Sequence, residues 1–170
     1  MTKVIPGRHM AEVDDEVVVF LIGMRANKPW LLAKWVPTFT AMPKMLRYLL
    51  AHPERGLLGF RNYFLPSPLV VQYWRSVQDL YAFARDRDDP HLQAWRRFNR
   101  KVGSRGDVGI WHETFRVPAS NIETVYNNMP VFGLAAAGRH VPIRGGMHSA
   151  VARMGLTSED VPVVEPPLER

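Results

Sequence analysis

The chain has 170 residues, 46% hydrophobic and 22% charged, a balance that suits one packed domain with a loose end and excludes wholesale disorder. It contains no cysteine, which excludes disulfides, thiolate nucleophiles and cysteine-held metal or iron–sulfur sites. A formal charge of +6 invites nucleic acid or an anionic surface, yet Arg96, Arg97, Arg100, Lys101 and Arg105 come without zinc-finger or RNP spacing and read more simply as a solvated helix face.

Residues 1–15 read as a polar N-terminal arm without the apolar segment of a signal peptide, and no apolar stretch of membrane-spanning length follows. A cytoplasmic protein is the expectation. "EVVVFLIGMR" (16–25) is a continuous β-branched run, the pattern of a buried central strand. Asn27 suits a helix cap, with Pro29 near the first turn. Leu32, Trp35, Phe39, Met42, Leu46 and Leu49 then recur at helical steps, and Pro37 and Pro43 must kink that helix or divide it in two. "HPERG" (52–56) ends it.

Two apolar runs flank "PSP" within residues 57–76, which predicts a pair of hairpin strands. In the second run Leu69, Val71 and Tyr73 alternate with Val70, Gln72 and Trp74, so one set faces a core. Ser76 and Asp79 form a capping-box pattern for a helix whose inner face is Leu80, Phe83 and Ala84. Asp89 as cap and Pro90 at the first position restart helix, with His91, Trp95 and Phe98 on one stripe. "GSRGD" (103–107) breaks it, and residues 108–117 return to strand. After Pro118, Ser120–Glu123 again resembles a capping box and predicts a short helix.

Strand, helix, strand, strand, helix, strand is the order of a ferredoxin-like βαββαβ unit. The fold expected over residues 16–137 is α+β: a four-stranded antiparallel sheet with helices on one face. The bare face then needs a cover, and a second subunit packed sheet to sheet would supply it. Residues 138–170, rich in Gly, Pro, Arg and His before an acidic end, read as an extended C-terminal tail suited to wrapping a partner.

Chemistry-bearing residues are few. In "GIWHETF" (109–115) strand periodicity sends Ile110, His112 and Thr114 to one side and Trp111, Glu113 and Phe115 to the other. His112 and Glu113 therefore cannot form a side-by-side dyad. Glu113, between two aromatics, is expected to be buried with an arginine partner at a subunit interface, or else catalytic. His112 is either a hydrogen-bonded core histidine or a base facing a pocket. His91, one turn before Trp95, is a helix-terminal surface histidine, a general base or an iron ligand. No HExxH, two-His-one-carboxylate spacing, phosphate loop or nucleophile elbow is present, so no dedicated metal site is expected. His9, His52, His140 and His148 fall in arms or loops and receive no role.

The stretches "FLIGMRANKPW", "YWRSVQDLYAFARDRDDPHLQAWRRFNR", "GIWHETFRVP" and "ETVYNNMPVFGLA" resemble a monooxygenase-like family of unknown function that includes the fumagillin-pathway monooxygenase. The likeness covers roughly residues 16–137. It implies membership of the dimeric α+β barrel superfamily, whose members include cofactor-free monooxygenases of polycyclic aromatics, haem-degrading monooxygenases, and haem-containing dehydratases and chlorite dismutases. In the haem-degrading relatives an axial histidine on the second helix follows a W-x-S at a strand end. Trp74 and Ser76 match that signal, and His91 falls near the axial position.

The expected function is a small homodimeric oxygenase acting on an apolar organic substrate. Its pocket, between sheet and helices, would be lined by Phe20, Met24, Trp35, Phe39, Tyr73, Trp95 and Trp111, with His91, His112 and Glu113 as candidate catalytic groups. No cofactor is firmly implied. One alternative is a haem b protein with His91 or His112 as axial ligand. Another is a non-catalytic lipid or metabolite carrier, whose basic, Trp-bearing first helix could touch a membrane surface. Nucleic acid is not an expected partner.

Overall fold

The computed structural model describes residues 3–64, 67–102 and 105–156. The chain divides into two units, one of residues 15–117 and one of residues 1–14 with 118–170. Among the described residues no helix is long and apolar enough to cross a membrane.

The chain opens with a strand, β1 (Ile5–Glu12), where the sequence reads as a polar arm. Its "IPGRHMAE" carries Pro, Gly and Arg and lacks alternation, so periodicity gives no hint of it. The larger unit begins with β2 (Glu16–Ala26). The long apolar stripe that follows becomes two helices, α1 (Leu32–Phe39) and α2 (Ala41–Ala51). The division falls at Thr40, whose hydroxyl donates to the Val36 carbonyl at 3.0 Å. Pro43 lies in the first turn of α2, where a missing N–H breaks no intrahelical bond. Asn27 is not the cap. Leu31 holds the N-cap position without a side-chain bond, and the Asn27 amide instead donates to the Gly106 carbonyl at 3.0 Å.

Strands β3 (Leu57–Tyr63) and β4 (Leu69–Trp74) pair antiparallel, as the flanked "PSP" predicts. Gly56, at φ 85, ends a 3-10 turn in the left-handed region and admits no side chain, because a Cβ there would sit 2.6 Å from the Asp79 carboxylate. Ser76 caps α3 (Val77–Arg85): its hydroxyl accepts from the Asp79 N–H at 3.0 Å and donates to the Asp79 carboxylate at 2.8 Å. Then come α4 (Pro90–Lys101) and β5 (Val108–Pro118).

The four strands lie in the order β3-β4-β2-β5. Val18, Phe20 and Ile22 of β2 stand opposite Trp74, Gln72 and Val70 of β4, so side chains two apart share the face turned to the helices. That face carries two apolar clusters. Val18, Met45, Leu49, Trp74, Leu80 and Phe83 form one, and Met24, Val102 and Val108 form the other, with Trp35, Phe39, Phe98 and Ile110 packed on it. On the other face a Cβ at Gly23 would meet the Trp111 indole at 2.6 Å, so the bare strand position is what lets that ring lie close.

In the smaller unit β1 pairs antiparallel with β6 (Tyr126–Met129) on one side and β7 (Arg139–Pro142) on the other, with α5 (Leu134–Ala137) and α6 (Ala150–Arg153) beside them in sequence. Three expectations change here. Residues 1–15 contain a strand, residues 138–153 contain a strand and a helical turn, and residues 118–137 cluster with these termini instead of with the four-stranded unit. The last part of the expected tail, 157–170, lies outside the described residues. Ser120–Glu123 is not a helix: a 3-10 turn covers Ala119–Asn121, and the Glu123 carboxylate accepts from Arg153 Nε at 2.8 Å instead of reaching back to a cap. His9 and His140 stack with ring centroids 4.5 Å apart at 13°, and the buried Nδ1 of His9 and Nε2 of His140 have no hydrogen-bond partner among the described residues.

Candidate functional site

Members of both apolar clusters wall a chamber of about 910 Å³ in the four-stranded unit, at the large end of the ~300–1,000 Å³ typical of small-molecule sites. Alternate strand residues make its floor: Phe20 and Ile22 from β2, Val70 and Gln72 from β4, Ile110 and His112 from β5. Helices α1 to α4 supply the roof, with Phe39, Met45, Phe83, His91 and Trp95 among its side chains.

Both histidines singled out in the sequence reach this chamber. His91 sits in the first turn of α4, half-buried, its ring 5.8 Å from that of Phe83. Its Nδ1 lies 3.0 Å from the Ala84 carbonyl. A carbonyl can only accept, so Nδ1 carries the proton and Nε2 of the neutral ring keeps its lone pair. No described residue bonds that nitrogen. His112 projects from β5 on the chamber side, its ring 5.5 Å from Phe20.

The start of α4 is fixed by a buried ion pair. Asp89 holds the N-cap position, but its side chain makes no cap bond. It is fully buried and meets Arg55 Nη2 at 3.1 Å, a charge contact not aligned as a hydrogen bond. Arg55 also reaches Asp86 at 3.1 Å and the Tyr48 hydroxyl at 3.4 Å. The neighbouring Asp89 carboxylate raises the pKa of the Tyr48 phenol above its ordinary value, with burial adding to it.

Of the expected lining, Phe20, Met24, Phe39 and Trp95 face the chamber. Tyr73 and Trp111 do not: each is one residue out of phase with the chamber-facing Gln72 and His112. Trp35 packs into the Met24–Val102–Val108 cluster and donates its indole N–H to the Pro29 carbonyl at 2.9 Å. Glu113 also points away from the chamber, and the expectation of burial fails within the single chain. It is exposed, and no described arginine pairs with it, because β5 is an edge strand whose outer face meets solvent.

Gln72 escaped sequence reasoning as a site residue. It is 4% exposed, and its carbonyl oxygen accepts from the Trp74 indole N–H at 2.8 Å. The signal was present: an amide in phase with Val70 and Trp74 on the buried side of a strand needs a partner. Among the described residues no group of three or more His, Asp or Glu side chains is placed to hold a metal.

The sequence model of a family described as "Monooxygenase af470-like" matches residues 17–134. The chain belongs to this monooxygenase af470-like family. The match runs from Val17 in β2 to Leu134 in α5, so it takes in the floor and roof of the chamber, including both histidines and Gln72. A member of the family's namesake type, "Monooxygenase af470" of Aspergillus fumigatus, is 28% identical over 153 residues, covering 75% of this chain and 53% of that protein. The chain thus spans about half the length of that curated relative.

Proposed function

We propose that this member of the monooxygenase af470-like family is a small oxygenase that oxidises an apolar organic substrate inside the chamber. The observation that carries the reading is one site: about 910 Å³ of apolar walls into which an imidazole with a free lone pair is set. His91 is the base. Its Nε2 takes a proton from an acidic carbon of the substrate, and the carbonyl on Nδ1 steadies the imidazolium that results. The substrate carbanion gives one electron to dioxygen, and the radical pair joins to form a carbon–oxygen bond. Loss of water from the hydroperoxide leaves a carbonyl, so substrate CH₂ and O₂ yield C=O and H₂O with no outside reductant. His112 across the chamber shuttles the second proton. Aromatic and aliphatic walls exclude bulk water from the anion.

Oxygen uptake with a polycyclic phenolic carbon acid tests this. His91→Ala is expected to lower kcat by about a hundredfold or more, with His112→Ala less severe. Uptake indifferent to both substitutions would end the proposal.

A second reading has one observation in its favour. A histidine whose Nδ1–H is held by a carbonyl is oriented as haem ligands are, so His91 would hold a haem b through Nε2, and the haem would supply oxygen or dehydration chemistry. A Soret band on haem addition, lost in His91→Ala, would favour it over the first reading.

We further propose that residues 15–117 form a ferredoxin-like protomer that pairs with a second copy across the outer sheet face. The strand order β3-β4-β2-β5 with intervening helices supports this, as does the face itself, where Val19, Leu21, Val71 and Tyr73 are joined by Trp111 and Phe115, 41% and 48% exposed.

A further inference from the structure

The charged residues that reach the chamber are of one sign. Lys34 on α1, Lys44 and Arg47 on α2 and Arg97 on α4 all line it, and among the described residues no aspartate or glutamate does. Elsewhere in the molecule Arg55, Arg75, Arg116, Arg139 and Arg153 each meet a carboxylate, while Arg25, Arg85 and Arg96 do not among the described residues. Lys44, Arg47 and Arg97 meet none among the described residues, although the chain holds 16 Asp and Glu. All three are exposed, so they stand where the chamber opens to solvent, not on its apolar floor.

We infer that the chamber takes an amphipathic anion, an apolar body whose carboxylate-type head is held at the rim by Arg47, Arg97 and Lys44. The inference rests on the chamber being a binding site, as proposed above, and adds the class of molecule it selects. Apolar walls alone would admit a neutral or cationic guest as readily. A one-signed rim raises the local concentration of anions, and guanidinium groups match a carboxylate with paired donors. A cationic head would meet only repulsion there.

The anchor also sets a distance. Arg97 follows His91 on α4 by six residues, about 9 Å of axial rise. A head held at Arg97 leaves the carbon beside His91 well down the apolar body, away from the head.

Binding of three probes that share one chain tests this without any oxygen chemistry: dodecanoate, dodecanol and dodecyltrimethylammonium, each below its micelle threshold, at low salt and about pH 8 by calorimetry. Dodecanoate is expected to bind about tenfold more tightly than dodecanol, three exposed charges acting together, with the cationic probe weakest. In the Arg47→Gln/Arg97→Gln double variant dodecanoate should fall to the level of dodecanol, while dodecanol itself, which reports that the chamber is intact, should not change. Equal affinity of the wild-type protein for dodecanoate and dodecanol, or a preference that survives in the variant, overturns the anionic head and leaves the chamber reading standing. Failure of all three to bind overturns both.

Discussion

At the scale of single residues, strand phase decided what could be foreseen. His112 and Trp111 fall on opposite sides of the strand, as a two-residue period requires, and by the same phase Trp111 and Tyr73, both in the expected lining, turn to the outer face. His91 reached the chamber as its helical stripe with Trp95 suggested, but the bond to Ala84 that selects its tautomer is tertiary and left no trace in the chain. His9 and His140 had no visible role either, since their stacking depends on β1, a strand without a pattern. Burial, and then the neighbouring His9, hold His140 below the ordinary 6.5. Its folded pKa is therefore the lower one: above about pH 6.5 both states are neutral, and below it the unfolded state takes up a proton that the folded state refuses. No carboxylate is among the groups shifting His140, His9 and Tyr126 are the titratable side chains packed on its ring, and the Arg139 next to it is taken up by Glu12 and Asp14. The smaller unit should lose stability as pH falls below that value. Hydrogen exchange of β1 and β7 amides, corrected for intrinsic rate, should quicken between about pH 7.5 and about pH 5.5, and His140→Phe should flatten the trend.

At the scale of elements, local rules and long-range ones part company. The capping box at Ser76, the hairpin around "PSP" and the split helix at Thr40 are set by residues within a few positions of one another, and all were legible. Asp89 and Asn27 carried the same cap signal and did something else, because Arg55 and the turn before β5 offered partners that sequence spacing cannot reveal. The Arg55–Asp89 pair pins the start of α4, and with it the backbone that carries His91. Arg55→Met leaves a fully buried carboxylate without its cation and should destabilise the protein, read as a clearly lowered urea midpoint. Arg55→Met with Asp89→Asn should recover part of that loss, which a simple loss of packing at Arg55 would not allow.

For the molecule as a whole, the order of elements was enough to foresee an α+β unit around a four-stranded sheet, but not the second, three-stranded sheet. That sheet joins residues from both ends of the chain, and pairing so distant leaves no local signature. The outer face of the larger sheet is where the proposed pairing of two copies can be tested. Phe115 is half exposed at an edge strand, so Phe115→Glu should change the stability of the single chain by no more than about 0.5 kcal/mol. Sedimentation equilibrium should give twice the chain mass for the parent protein and the single mass for the variant. A parent that sediments as a single chain at all accessible concentrations would remove the second copy.

The Gln72 amide fixes more than a hydrogen bond. Because the Trp74 indole donates to its oxygen, the group cannot turn over, and its nitrogen, one proton of which faces the Met42 sulfur, has the other to offer a guest. The floor, which also carries His112, Thr114 and Asn62, thus has a buried polar point of fixed sense. A flat guest resting on the aromatic rings would turn one of its edges to that N–H, so the amide sets a direction across the floor. Direction, though not handedness, is built into the floor before any reacting group is considered.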